Sequence, residues 1–144
     1  MRATRKPAFR FLLDLKSGVP VYRQIIDQVR GALASGALVT GDQLPTVRQL
    51  AVDLEINPNT VVRAYRELEL SGLLETHQGT GTFISTQQIH RADAERERQI
   101  SQIVADAVSR AGAAGFTIDD LQEQLSLLQS SGPGRAGSAP KEKV

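Results

Sequence analysis

The sequence contains no cysteine. That excludes a disulfide scaffold, a Cys zinc site, thiol catalysis and a redox switch together, and it suits a reducing cytosol, the expected location. There is no tryptophan and aromatics are only 4%, so any core must be aliphatic. No apolar run approaches the roughly 20 residues needed to cross a bilayer. Met1 to Lys16 carries basic residues, but no apolar stretch of about 7–15 residues follows them, so it does not read as a secretory signal. No membrane partner is expected. The chain also lacks a large net charge: 17 Lys+Arg against 16 Asp+Glu leave +1. A uniformly basic, histone-like binder is excluded, whereas a localised basic face is not.

What is present is enough to fold. The 144 residues are 40% hydrophobic and 23% charged, which allows one domain of ordinary size or a small domain with an appendage. The charge is unevenly spread. Residues 1–85 carry a net +2 and residues 86–144 a net −1, while Met1 to Lys16 alone carries +4. That first segment reads equally well as a flexible basic arm or as a solvated terminus.

Along the chain, Phe9, Phe11, Leu13 and Leu15 alternate with Arg10, Leu12 and Asp14, a period of two that predicts a short strand. Ser17, Gly18 and Pro20 break it. Val21, Tyr22, Ile25, Ile26, Val29 and Leu33 then mark an amphipathic helix that stops near Gly36. Leu38 to Pro45 (LVTGDQLP) is turn-rich and reads as a connector. A second, short helix begins at Thr46, which stands to Gln49 as in a capping box, and buries Val47, Leu50, Ala51 and Leu54. Asn57 is a favoured N-cap and Pro58 has no N–H to leave unsatisfied, so a third helix starts within a few residues of the second one's end. Its inward stripe is Val61, Ala64, Tyr65 and Leu68, and Gly72 stops it. Leu73 to Thr76 and Thr82 to Ser85 read as two strands joined through Gln78, Gly79, Thr80 and Gly81, a tight hairpin. A long polar helix from about Gln87 to Ala111 follows, then a last helix from Thr117 to Gln129 framed by a second capping box, Thr117 with Asp120. The segment 131–144 is rich in Gly, Ser, Pro and Ala and is expected to be disordered.

Helix, short helix, three-residue turn, helix and hairpin is the order of a winged helix-turn-helix, in which the second helix of the pair enters the major groove of DNA. The expected fold is therefore mostly α with a small β-hairpin: a winged domain over residues 1–85 and a helical region over 86–130. Removing the inward stripe from the third helix leaves Asn59, Val62, Arg63 and Arg66, spaced i, i+3, i+4 and i+7 on one face. No acid lies between Pro58 and Arg66. Asn pairs bidentately with adenine and Arg with guanine, and the Thr60 hydroxyl can reach phosphate beside the backbone N–H groups at the helix start. Arg48, in the first turn of the preceding helix, is a candidate contact to the DNA backbone, with a salt bridge to Asp53 or Glu55 as its bland alternative. The glycines of the hairpin tip either allow close approach to phosphates or simply make a good turn.

At this point the chain resembles the DNA-binding domain of the GntR family of bacterial transcription regulators. The matching stretches are VPVYRQI, SGALVTGDQLPTVRQLA, INPNTVVRAYRELELSGLLE and QGTGTFI, in the family's order and spacing across residues 19–85. The resemblance implies DNA contacts from Thr46, Arg48, Asn57, Asn59, Thr60, Arg63, Gln78, Gly79 and Thr80. Many members carry a basic residue immediately after the Thr-Val pair of the recognition helix, where this chain has Val62, with Arg63 next. NPNTVV followed by AYRELE resembles the short YtrA-type branch and the aminotransferase-fused branch. Some 45 residues between the wing and residue 131 are too few to enclose a ligand cavity of ordinary size. The two last helices present aliphatic stripes with no third layer, and a second copy would supply one. The expected dimer interface is Ile100, Ile103, Ala107, Leu121, Leu125 and Leu128.

The implied function is a sequence-specific repressor that binds a double-stranded inverted-repeat operator as a homodimer, with no cofactor and no metal. An enzyme is not supported. His77 and His90 do not converge with a nucleophile, and His90 with Asp93 lacks a third metal ligand. A winged-helix adaptor for proteins is the other reading, but it would expose apolar groups on the third helix rather than Asn59, Arg63 and Arg66. Operator sequence, regulated genes and any small-molecule effector are left open.

Overall fold

The computed structural model describes residues 9–86 and 93–130. It divides into two compact units, one on each side of residues 87–88. The first holds α1 (Val21–Ser35), β1 (Gln43–Leu44), α2 (Val47–Leu54), α3 (Pro58–Leu70), β2 (Leu74–His77) and β3 (Gly81–Ile84). The second holds α4 (Asp93–Ala113) and α5 (Ile118–Ser130). The anticipated His90 and the segment 131–144 lie outside the described residues.

The first unit is built around α3. Its stripe of Val61, Ala64, Tyr65 and Leu68 is fully buried against Ile25, Ile26 and Val29 of α1 and Leu50 and Ala51 of α2. Both ends of α3 are closed. At the N-terminus the Asn57 side chain accepts the Asn59 N–H at 2.9 Å, and Pro58 fills the first helical position. At the C-terminus Gly72 takes φ 78°, its N–H reaches the Glu69 carbonyl, and the Leu73 N–H reaches back to Leu68. That is a Schellman closure, which needs the left-handed conformation glycine adopts without steric cost. The same closure ends α2, but there Glu55 occupies the left-handed position at φ 55°, with the Ile56 N–H bonded to the Ala51 carbonyl. The three residues of the helix-turn-helix bend, 55 to 57, are thus fixed by backbone bonds on one side and a side-chain cap on the other. Burial pushes the pKa of the Tyr65 phenol up, so it stays a donor, and it donates to the Pro45 carbonyl at 2.7 Å. That bond moors the loop before α2 to the middle of α3.

Two expectations need correction. Residues 9–15 do not form a strand. Up to Asp14 their alternation is real as burial, with Phe9, Phe11 and Leu13 turned inward and Arg10, Leu12 and Asp14 outward, but Leu15, expected inward, is 81% exposed in the turn that follows. The backbone partners, however, are side chains of α1. Gln28 accepts the Leu12 N–H and donates to the Leu12 carbonyl; Gln24 does the same for Asp14, and also donates to the Val19 carbonyl and Ser17 Oγ. Two glutamines one turn apart stand in for a neighbouring strand. Second, the supposed connector 38–45 contributes a strand. β1 pairs antiparallel with β3, Gln43 opposite Phe83 and Leu44 opposite Thr82, so the sheet has the order β1-β3-β2 rather than being a lone hairpin. The buried Leu44 is what the third strand contributes to the core.

In the second unit α4 runs past Ala111 to Ala113, and Gly115, at φ 85°, makes the turn. Thr117 caps α5: its hydroxyl accepts the Asp120 N–H while the Asp120 carboxylate accepts the Thr117 N–H at 2.8 Å and the hydroxyl at 3.0 Å. These bonds hold the Asp120 carboxyl below the usual carboxylate range.

The buried Gln24 is the anchor of residues 9–19. Gln24→Leu is expected to lower stability by about 1–2 kcal/mol, since it removes several bonds that water replaces only in part. It should also speed hydrogen exchange at the Asp14 amide; unchanged exchange there would show that the segment is held by Phe11 packing alone.

Candidate nucleic-acid interface

A helix turns by 100° per residue, so burial of one stripe of α3 decides what the opposite side displays. Asn59, Val62, Arg63 and Arg66 are all exposed, and Thr60 is half-buried at the edge. Among the described residues no carboxylate pairs with Arg63, Arg66 or Arg48, and the ion pair found there joins His77 to Glu75 at 3.2 Å. The expected bland alternative for Arg48, a bridge to Asp53 or Glu55, is not formed. Thr46 is the N-cap of α2 with both capping-box bonds at 3.1 Å, and its hydroxyl hydrogen remains available.

The first turn of α3 differs from expectation. Pro58 has no N–H, the Asn59 N–H goes to Asn57 Oδ1, and the Thr60 N–H goes to the Asn57 carbonyl at 3.0 Å. The backbone donors there are engaged, so an anion could be held only by side chains: the Thr60 hydroxyl, the Asn59 amide and the Asn57 NH2. Asn57 therefore does two things from one amide, its oxygen closing the helix and its nitrogen left over.

At the hairpin tip Gln78, Gly79 and Thr80 are exposed. The Thr80 N–H returns to the His77 carbonyl at 3.1 Å, and Gly79 at φ 80° sits at the third position, as in a type II turn. A Cβ on Gly79 would meet open space, so glycine is required there by conformation. At Gly81, φ 131°, a Cβ would in addition lie 2.6 Å from Gln43 Nε2 and push the end of that side chain aside. That nitrogen donates to the Thr80 carbonyl at 3.0 Å, bracing the tip from β1. At the other end of the hairpin the Glu75 carboxylate accepts from Ser85 Oγ at 2.8 Å and from the Thr86 N–H at 3.0 Å. These bonds hold its pKa below the ordinary range, so it is ionised at neutral pH. The Thr76 hydroxyl bonds Glu69, tying β2 to the last turn of α3. The tip is thus held to β1, and the hairpin to the helix that carries the polar face.

Comparison with known proteins settles what kind of unit this is. The model of bacterial regulatory proteins of the gntR family matches residues 21–84. The HTH-type transcriptional repressor YtrA of Bacillus subtilis (strain 168) is 36% identical over 126 residues, spanning 85% of this chain and 94% of that one. This chain belongs to the GntR family. Among solved structures it is similar to YtrA from Sulfolobus acidocaldarius, a GntR-family transcription factor, with a TM-score of 0.52 and 30% identity over 69% of this chain and 97% of that one. A Listeria monocytogenes EGD-e protein described as a transcriptional antiterminator gives a TM-score of 0.62 at 26% identity, over 83% of this chain and 89% of that one. The chain is a DNA-binding winged-helix regulator of this family rather than an enzyme, and no helix among its described residues is long and apolar enough to cross a membrane.

Within this GntR-family unit, four residues around the site escaped sequence reasoning. Gln43 hid in a segment read as a connector, and Glu75 and Thr76 bond across elements whose proximity no local pattern encodes. Tyr22 reads in the sequence only as one of the apolar residues that mark α1 as amphipathic. Only half-buried, it places its ring under the Arg63 guanidinium, 3.7 Å from Cζ to ring centroid.

The two uses of Asn57 can be separated. Asn57→Ala should destabilise the unit by about 1 kcal/mol through loss of the cap. Asn57→Asp retains a capping oxygen and favours the helix dipole, so melting should hold or rise, while the added negative charge weakens DNA binding. If the Asp variant binds as well as the parent, Asn57 is a cap and nothing more.

Proposed function

We propose that the chain is a repressor that acts as a homodimer on an inverted-repeat operator, in the cytoplasm. Each subunit sets Asn59, Thr60 and Arg63 in a major groove, with Arg48 and Thr46 toward the backbone and Gln78, Gly79 and Thr80 toward phosphates and the adjoining minor groove. The observation that carries this reading is the exposed face of α3. It displays two cations and an amide, no acid lies between Pro58 and Arg66, and no described carboxylate neutralises it. A face meant for a protein partner would be apolar at its centre; here Val62 is the sole aliphatic member of the four. The Bacillus subtilis relative is named a repressor, which supports the sign of regulation.

Residues 1–85 are then the DNA-binding domain and residues 86–130 the pairing region. α4 and α5 pack on each other, yet only Ala111 is buried, with Val108 and Leu121 half-buried. Ile100, Ile103, Val104, Leu125 and Leu128 stay more than half exposed; Ile103 is 62% and Leu125 61% exposed. A single aliphatic residue in solvent needs no explanation, but a cluster on two adjacent helices marks an interface. A second copy covers it symmetrically and places two recognition helices on half-sites about one or two helical turns apart. Of the anticipated interface, Leu121 serves the hairpin itself as well, whereas Ile100, Ile103, Ala107, Leu125 and Leu128 remain for the partner.

Two experiments test this. Arg63→Ala should cost about 1–3 kcal/mol of affinity for the duplex the protein protects in its own upstream region, and relax one base position. The logarithm of the binding constant should fall linearly with the logarithm of salt concentration; a flat salt response would leave the adaptor reading in its place. Ile103→Asp combined with Leu125→Asp spares Leu121 and should give folded monomers by light scattering, with affinity for the full inverted repeat reduced to that for a half-site. A dimer that survives both charges would place the interface elsewhere.

A further inference from the structure

We propose that Tyr22, on α1, is a positioning residue that presets Arg63 for base readout, so that part of this protein's sequence specificity is set from outside the helix-turn-helix. The inference rests on the reading of α3 as the recognition helix. Arg63 is exposed and has no carboxylate partner among the described residues, yet its guanidinium lies on the Tyr22 ring, 3.7 Å from the centroid. A cation over an aromatic face at that distance is attracted by the ring quadrupole. A Cζ-to-centroid distance of 3.7 Å brings the guanidinium into direct contact with the ring. A guanidinium stacked on an aromatic face keeps its in-plane N–H donors clear of the ring, so a contact of this kind leaves the fork that reads guanine free. A carboxylate would have consumed that fork; an aromatic ring orients it without occupying it.

The platform is itself fixed. Tyr22 packs against the core cluster, one turn before Ile25 and Ile26, which are wholly buried between α1 and α3. A basic side chain at position 62 would sit one residue, and 100° of helix rotation, away from Arg63. In this chain the cation occupies the position that reaches the ring, and the neighbouring position holds a valine.

The test starts from a randomised duplex library enriched on the full-length wild-type protein. Affinities are then measured for the enriched duplex and its single-base variants, with wild type, Tyr22→Phe, Tyr22→Leu, Arg63→Ala and the Tyr22→Leu/Arg63→Ala double variant. Arg63→Ala should flatten discrimination at one base pair. Tyr22→Leu should lower discrimination at that same pair about three- to tenfold, with the salt slope unchanged because no phosphate contact is lost. Tyr22→Phe, which keeps the ring, should behave as wild type, and the double variant should be no worse than Arg63→Ala alone. Losses from Tyr22→Leu that are equal for all duplexes, or that add to those of Arg63→Ala, would reduce Tyr22 to a packing residue. An Arg63→Ala variant that discriminates as wild type does would instead remove the recognition-helix reading itself. Should Tyr22→Leu fail to fold, proton resonances of the Arg63 side chain in the free wild-type protein still decide: ring-shifted upfield if Tyr22 holds it, unshifted if not.

Discussion

Everything in the first unit follows from how α3 is held. Its four inward side chains, Val61, Ala64, Tyr65 and Leu68, are packed against two other helices. Asn57 closes its front end, a glycine in the left-handed region closes its back end, and the Tyr65 hydroxyl ties its middle to the loop before α2. A helix fixed at that many points can neither rotate about its axis nor slide. The outward face is therefore a consequence of the inward one. Asn59 and Arg63 owe their direction to Val61 and Ala64, and a change that loosens the core is felt at the surface as a change of aim. Readout of a base edge demands such constancy, because hydrogen bonds weaken steeply once geometry departs by tens of degrees.

That dependence explains what was legible beforehand. The stripe of α3, both capping boxes and the Asn-Pro start are local patterns, with successive members no more than four residues apart, and each is present in the structure. β1 was not legible because two residues carry no periodicity, and its partner lies some forty positions away in sequence. Residues 9–15 misled for the opposite reason: their alternation describes which side faces the core, and an extended segment laid on Gln24 and Gln28 alternates as a strand does. On the candidate site, the outward residues could be named by subtracting the core. What each side chain touches could not. Arg63 over Tyr22, Gln43 under the wing tip and Glu75 at the base of the hairpin are tertiary juxtapositions between residues that have no spacing rule.

The wing shows how polar side chains rigidify a small sheet that has little core of its own. Its two ends are held differently. Gln43 fills the space that glycine leaves at position 81, so the tip is braced by an absence of side chain on one strand and an amide on another. The base is clasped by an ionised carboxylate that gathers Ser85 and Thr86, and the Thr76 hydroxyl joins β2 to Glu69 of α3. None of these groups is deeply buried, and each bond is individually weak. Their value lies in removing alternatives: a hairpin of two four-residue strands is otherwise marginal in water.

The near-neutral charge of the chain then constrains how it can act. A net +1 provides no broad positive field to draw in DNA, so affinity must come from a few well-placed donors, each bidentate pair discriminating by about 1–3 kcal/mol. One unit with so few donors would release a duplex quickly. On the proposed reading, the exposed aliphatic cluster of α4 and α5 answers that shortage. Coupling two units makes the second half-site an intramolecular partner, and binding strengthens with no change to the donors of either unit. The sparse, unneutralised face of α3 and the uncovered face of the C-terminal hairpin are then two aspects of one solution: specificity concentrated in a handful of fixed side chains, and strength supplied by pairing.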